Sequence, residues 1–258
     1  MNIWHDIKFM NGITSAMFGL CVLALLAAGL WWLTQRPMFV IRVIVVQGME
    51  KTELRHVNAL TVKGAAIPRI NGNFFTTNLD AVRTSFEVVP WVRKAAVRRE
   101  WPNKLVVSIE EHQPLGTWGE DGRLLSVKGD VFTANLAEAE VDAKLLEFDG
   151  PKGSEREVLA RYAELHEWFK PINLEPVSVQ LSGRFSWSVR LDNGMKIKLG
   201  REHGKVTLKN LVERLTQVYP QLVARTGSRI ESVDLRYPNG LALNAGGMLY
   251  GVDGKQEE

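Results

Sequence analysis

The stretch PWVRKAAVRREWPNKLVVSIEEHQPLGTW, residues 90–118, decides how the chain folds. Pro90 cannot continue a helix that reaches it, because it has no N–H and its ring clashes with the preceding turn. Beyond it, Val92, Ala95, Ala96 and Val97 mingle with basic residues in an imperfect alternation. Trp101-Pro102-Asn103 carries turn chemistry. After the turn, Leu105, Val107 and Ile109 occupy every second position, the period of one strand face. Two strands joined by a tight turn follow.

Working back from Pro90, Asn78 stands as an N-cap before LDAVRTSFEVV, with Leu79, Val82 and Phe86 on one helical face. A connection rich in Gly, Pro and Asn, Gly64 to Asn73, precedes it. Before that, Thr52 and Glu53 open TELRHVNALTV, where Leu54, Val57 and Leu60 lie at helical spacing. FVIRVIVVQG, Phe39 to Gly48, is β-branched and apolar, and reads as a strand. The order is strand, helix, helix, strand, strand.

Farther back, Ile13 to Thr34 holds no charged side chain. Twenty-two residues at about 1.5 Å each span about 33 Å, enough for a bilayer core of about 30 Å. Trp31 and Trp32 close the run, where amphipathic rings favour the headgroup level. A buried core helix does not need so long an uncharged run. A cleaved signal usually has an apolar region of about 7–15 residues, shorter than this one. Ser15/Gly19 and Ala24/Ala28 are small residues four apart, which either permit close helix contact or face lipid. The flanking charges, Lys8 before and Arg36 and Arg42 after, do not set an orientation.

Past Pro114 the chain turns β-rich. LGTWGEDGRLLSVKGDVFTAN reads as two or three short strands, with turns at Asp121-Gly122 and Gly129-Asp130. Ser154 is the expected cap of EREVLARYAELHEWFK, with Val158, Leu159, Tyr162, Leu165 and Phe169 inward. VSVQL, RFSWSVRL and MKIKLG are strands, the last two joined at Asp192-Asn193-Gly194. A second helix, KVTLKNLVERLTQVY, carries Leu208, Leu211, Leu215 and Val218, with Pro220 at its end. RIESVDLRY and LALNA flank the Pro238-Asn239-Gly240 turn.

The sequence predicts an α+β chain. It has a tail 1–12, a transmembrane helix 13–34, a small α/β domain 38–112, a mixed β-domain with two helices 113–247, and a flexible tail 248–258.

Composition is ordinary for a globular chain, 45% hydrophobic and 24% charged, with a mean hydropathy of -0.09. The net charge of +3 fits a mixed-sign solvated surface, and Arg93-Lys94 and Arg98-Arg99 lack the clustered basic face with aromatics that nucleic acid requires. The one cysteine, Cys21, lies within the apolar run, so no intramolecular disulfide forms. His5, His56, His112, His166 and His203 show no paired metal spacing. Glu110-Glu111-His112 could suggest a metal, but adjacent strand residues point to opposite faces. No phosphate-cradling loop and no nucleophile elbow occurs. The expectation is a protein without enzymatic activity or cofactor.

The combination Pro90-Trp91-Val92, Val97, Arg99, Trp101-Pro102-Asn103, Leu105, Val107, Ile109, Glu111, Pro114 and Trp118 resembles a POTRA domain. Placed directly after one N-terminal anchor, it is similar to the FtsQ-type cell-division proteins. That resemblance implies a divisome scaffold in septum formation, in the cell inner membrane, with a cytoplasmic N-terminus and periplasmic domains. It implies FtsB and FtsL as partners, and FtsK and FtsW as candidate neighbours of the POTRA domain. POTRA modules also serve outer-membrane assembly and polypeptide transport, a reading that predicts several modules or a terminal barrel. A membrane-anchored cell-wall enzyme needs a nucleophile or metal set that the sequence does not display.

By the same resemblance, partner binding falls to the C-terminal part of the β-domain. Tyr237 would supply an aromatic contact, and Asn239-Gly240 the turn into the pairing strand with Leu241 and Leu243. Arg184 would meet a carboxylate on the partner, and Arg236 either serves the sheet surface or is solvated. The strand Leu241 to Ala245 is either an open edge for a partner strand or a closing strand covered by the tail. Where family members can carry a tryptophan after this strand, Ala245 stands here, with Tyr250 beyond.

Overall fold

The computed structural model describes residues 7–49, 52–58, 62, 64, 70, 72–202, 207–226, 230–237, 240–245 and 248–253. The chain divides into two compact units, Met1–Glu111 and His112–Glu258.

In the first unit, α1 runs from Ile7 to Thr34, so it begins inside the expected tail. Its apolar window, Asn11–Trp32, is nowhere buried within the protein. That excludes a core helix. A 3-10 turn, Pro37–Phe39, follows, and β1 starts only at Val43 and ends at Gly48. The expected strand loses its first residues because the Phe39 N–H closes the turn on Arg36 O while the Phe39 ring is buried.

β1 pairs in parallel with the central strand β3, Lys104–Glu111, which pairs antiparallel with β2, Val92–Glu100. Leu105, Val107 and Ile109 are buried, and Val106 on the opposite face is buried too. The β2–β3 turn at Trp101-Pro102-Asn103 contains a cis peptide bond. Asn78 caps α2, Leu79–Glu87, accepting from the N–H groups of Asp80 and Ala81, and Val82 and Phe86 face the core. α2 packs against β2.

The helix expected from Thr52 does not form there. Residues 52–58 are irregular, and the Val62 N–H donates to Asn58 O. The reason lies on β3. The Glu111 carboxylate accepts from the backbone N–H groups of Arg55, His56 and Val57 at 2.9, 3.0 and 2.6 Å. Donors held by a carboxylate cannot serve a helix. Glu111→Ala is therefore expected to destabilise the first unit by about 2–3 kcal/mol, since three donors lose a charged acceptor together. Chemical denaturation of the purified chain measures this, and an unchanged midpoint would remove the role given to Glu111.

The second unit holds a ten-stranded sheet. Its strands are β4 Pro114–Trp118, β5 Arg123–Ser126, β6 Val131–Phe132, β7 Leu146–Asp149 and β8 Pro176–Leu181. They continue with β9 Trp187–Leu191, β10 Lys196–Gly200, β11 Ile230–Asp234, β12 Gly240–Ala245 and β13 Met248–Asp253. The spatial order is β13-β12-β11-β10-β9-β8-β7-β4-β5-β6. A parallel β4–β7 contact stitches the first hairpin to the rest.

Helices α4, Glu155–Phe169, and α5, Leu208–Thr226, pack on one face of this sheet. They bury Val158, Leu165, Phe169, Leu208, Leu211, Val212, Leu215 and Leu222 against Val179, Leu181, Val189, Leu191, Ile197 and Leu199. On the opposite face Arg190 pairs with Glu147, and Lys196 and Lys198 are exposed.

Four expectations need correcting here. A third helix, α3 at Leu136–Asp142, capped by Asn135, precedes β7. Ser154 holds the N-cap position of α4, yet its hydroxyl donates back to Pro151 O instead of accepting from the helix. α5 runs through Pro220, and Leu222 beyond it is buried. Core burial of that last turn offsets the bond a proline removes. Residues 248–253, expected as a flexible tail, form β13, paired antiparallel with β12 from Gly240↔Asp253 to Ala245↔Met248.

Candidate partner-binding edge

The sheet pairings gather several sequence-selected residues at one end of the second unit. β9 begins beside the end of β10, with Trp187 opposite Gly200. β10 and β11 run parallel, with Lys198 opposite Asp234, and Asp234 in turn faces Ala242 near the start of β12. The β8–β9 loop with Arg184, the β11–β12 connection with Arg236 and Tyr237, and Gly240 thus share one end of neighbouring strands.

The β11–β12 connection is built by local bonds. The Leu235 N–H donates to Lys198 O, continuing the ladder, and the Leu235 side chain is buried. The Arg236 fork closes on Asp234, with Nε to Oδ1 at 2.9 Å and Nη2 to Oδ2 at 2.6 Å. The Arg236 backbone N–H also reaches Asp234 Oδ1. The stem of Arg236 lies over Gly200, where an added Cβ would stand 2.9 Å from Arg236 Cγ. Arg236 is therefore neither free nor merely solvated. It shapes the connection.

Hydrogen bonds from Arg236 hold the Asp234 carboxyl below its usual range, and Lys198 adds to the effect. A depressed carboxylate contributes above its unfolded pKa and is lost as pH falls through the folded one. The clamp is complete at neutral pH and opens only in acid. Being exposed, it contributes about 1 kcal/mol at most.

Tyr237 follows with its side chain 55% exposed, while its carbonyl accepts from Arg214 Nη2 on α5 at 3.2 Å. A held backbone under a free ring presents a pre-ordered aromatic. Asn239 lies outside the described residues. Gly240 opens β12, and Leu241 and Leu243 are buried in the core, so their side chains are not available to a partner.

Arg184 is exposed on the β8–β9 loop, which is closed by Ser182 N–H to Ser186 O and Phe185 N–H to Ser182 O. Beside it Phe185 is 62% exposed with φ +57. The sequence reading missed Phe185. An aromatic in SGRFSW reads as a strand residue, whereas here it sits in a loop with a left-handed backbone and an exposed ring.

The outer edge of β12 is engaged. β13 pairs with it at six positions, so the closing-strand alternative describes this structure. Elsewhere, Glu110 pairs with Arg93 at 3.2 Å while Glu111 serves the backbone, which disposes of a shared Glu110–Glu111 site. Among the described residues no group of three His, Cys, Asp or Glu is placed to hold a metal.

An apolar helix long enough to cross a membrane, a three-stranded α/β module and a β-domain with helices on one face of its sheet define the class of architecture. Comparison with known proteins makes it specific. Residues 39–112 match the family model "POTRA domain, FtsQ-type", and residues 116–236 match "Cell division protein FtsQ/DivIB, C-terminal". A relative named cell division protein FtsQ from Burkholderia pseudomallei is 48% identical over 251 residues, covering 97% of this chain and 98% of its own. Those of the same name from Bordetella pertussis and Thiomonas arsenitoxydans are 40% and 36% identical, over 93% and 96% of this chain and 92% and 89% of their own. The chain belongs to the FtsQ family of cell-division proteins.

Proposed function

We propose that this chain is a divisome scaffold that captures the FtsB–FtsL pair by strand addition at β12. Tyr237 and Arg184 supply side-chain contacts, and Arg236 and Asn239-Gly240 shape the entry to the strand. α1 crosses the inner membrane once, with the N-terminus cytoplasmic and both folded units periplasmic. The POTRA module serves recruitment, with FtsK and FtsW as its neighbours. The observation that carries the reading is the β12 edge itself, which accepts an extended antiparallel strand over six residue pairs.

In this reading β13 occupies the place that the partner strand takes. Exchanging one antiparallel strand for another conserves backbone hydrogen bonds, so side chains and effective concentration set the balance. A tethered segment competes at about millimolar effective concentration. Deleting residues 246–258 is therefore expected to tighten FtsB–FtsL binding by about tenfold, about 1.4 kcal/mol. Titration of the purified chains decides, and a weaker complex after deletion would move the docking edge to β13.

The reading itself is tested in living cells by photocrosslinking from Tyr237 and Asn239. FtsB adducts are expected from both positions. Their absence, with the protein present at normal level, ends the proposal.

A further inference from the structure

The junction between α1 and the POTRA module is folded rather than loosely linked. Thr34 ends α1, and its carbonyl is one of the four that a helix leaves without an internal partner. Asn73 Nδ2 donates to that carbonyl at 3.0 Å. The Phe74 N–H donates to Phe39 O at 2.8 Å, and Asn73 Oδ1 accepts from the N–H groups of Phe75 and Thr76. A tight loop of the module, residues 72–76, is thereby fastened to the last turn of the apolar helix.

That attachment sets a depth. The apolar window closes at Trp32, and at about 1.5 Å per residue Thr34 stands only about 3 Å farther along the axis. Trp31 and Trp32 are largely exposed, and the Arg36 guanidinium lies 3.3 Å over the Trp32 ring. Aromatic rings with a cation at a helix end are suited to the headgroup level. Three residues next to this junction carry partly exposed apolar side chains: Phe75 is 48% exposed, Met38 54% and Val40 47%. The Phe75 ring sits 5.0 Å from that of Phe39, which is buried in the module. The polar groups of Gln35, Asn73 and Thr76 line a groove beside them with Trp31 and Val40.

We propose that Phe75, Met38 and Val40 form a foot by which the POTRA module rests in the headgroup–acyl boundary of the leaflet where α1 ends. The proposal rests on the membrane-spanning reading of α1. The occupant is lipid because Val40 shares a groove with Trp31 and Thr34 of the spanning helix, and Phe75 lies in the loop bonded to the end of that helix. An apolar side chain at that boundary leaves water without needing a protein partner. The foot restrains the module's tilt against the membrane.

The test uses the full chain with Cys21→Ser, in vesicles of phosphatidylethanolamine and phosphatidylglycerol. An environment-sensitive fluorophore is attached in turn at Phe75→Cys, Leu25→Cys and Gln47→Cys. The expected result is strong quenching at position 75 by a lipid spin-labelled near the headgroup, with iodide quenching several-fold lower than at position 47. Position 25 reports spanning through a lipid labelled deep in the acyl chain. If position 75 is as open to iodide as position 47 while position 25 is lipid-quenched, the foot is overturned and the span stands. If position 25 is not lipid-quenched, the spanning reading falls and the foot with it.

Discussion

Cells whose only copy of this protein carries Tyr237→Ala together with Arg184→Glu are expected to divide poorly, and the purified variant to lose FtsB–FtsL affinity by roughly 100- to 1000-fold. Both side chains are exposed at the same end of the second unit's sheet, and neither supports the core. A well-placed aromatic at the centre of an interface contributes about 2 kcal/mol or more. In the proposed complex Arg184 faces a partner carboxylate, so reversing its charge exchanges attraction for repulsion, and the pair together reach about 3–4 kcal/mol. Thermal melting of the variant should match the parent chain, because the substitutions leave buried contacts intact. Normal septation with undiminished co-purification of FtsB would sink the proposed edge.

The second large effect concerns Gly116 in β4. A Cβ built there stands 2.3 Å from Leu146 O and 2.8 Å from the Phe148 ring, both on β7. Backbone cannot yield as a flexible side chain does, so Gly116→Val has to part β4 from β7. That opens the parallel contact joining the first hairpin to the remaining strands. The expected loss is about 4 kcal/mol or more, in the range of severe overpacking. For a unit of this size that lowers the melting temperature by roughly 10 °C. A variant melting like the parent would show that β4 and β7 can separate at little cost.

Much of the fold was legible because local chemistry and burial agreed. Asn78 caps its helix, the Asp192-Asn193-Gly194 hairpin closes, and the stripes Val158, Leu165, Phe169 and Leu208, Leu211, Leu215 face the core. The errors lie where a distant group overrides local preference. Leu54 and Val57 have helical spacing, yet Glu111 takes the N–H groups that a helix would have used. Pro220 reads as a stop, yet burial of Leu222 carries the helix past it. Ser154 reads as a cap, yet its hydroxyl finds the Pro151 carbonyl.

At the candidate edge the same division holds. Tyr237 and Arg184 were selected by resemblance, and pairing register brings their loops to one end of the sheet. Leu241 and Leu243 were selected with them but point into the core, because alternate residues of β12 must face the helices. Tyr250 lies on β13 opposite Leu243, within a segment whose glycines and acidic end suggested fraying.

Periodicity and turn chemistry within a few residues suffice for the apolar helix, the strand–turn–strand at residues 92–111 and the two long helices of the second unit. Only the tertiary structure decided that β13 covers β12, that Gly116 must lack a side chain, and that Asn73 fastens the POTRA module to the end of α1. Each depends on a backbone group meeting a partner brought near by folding, and spacing along the chain carries no record of that meeting.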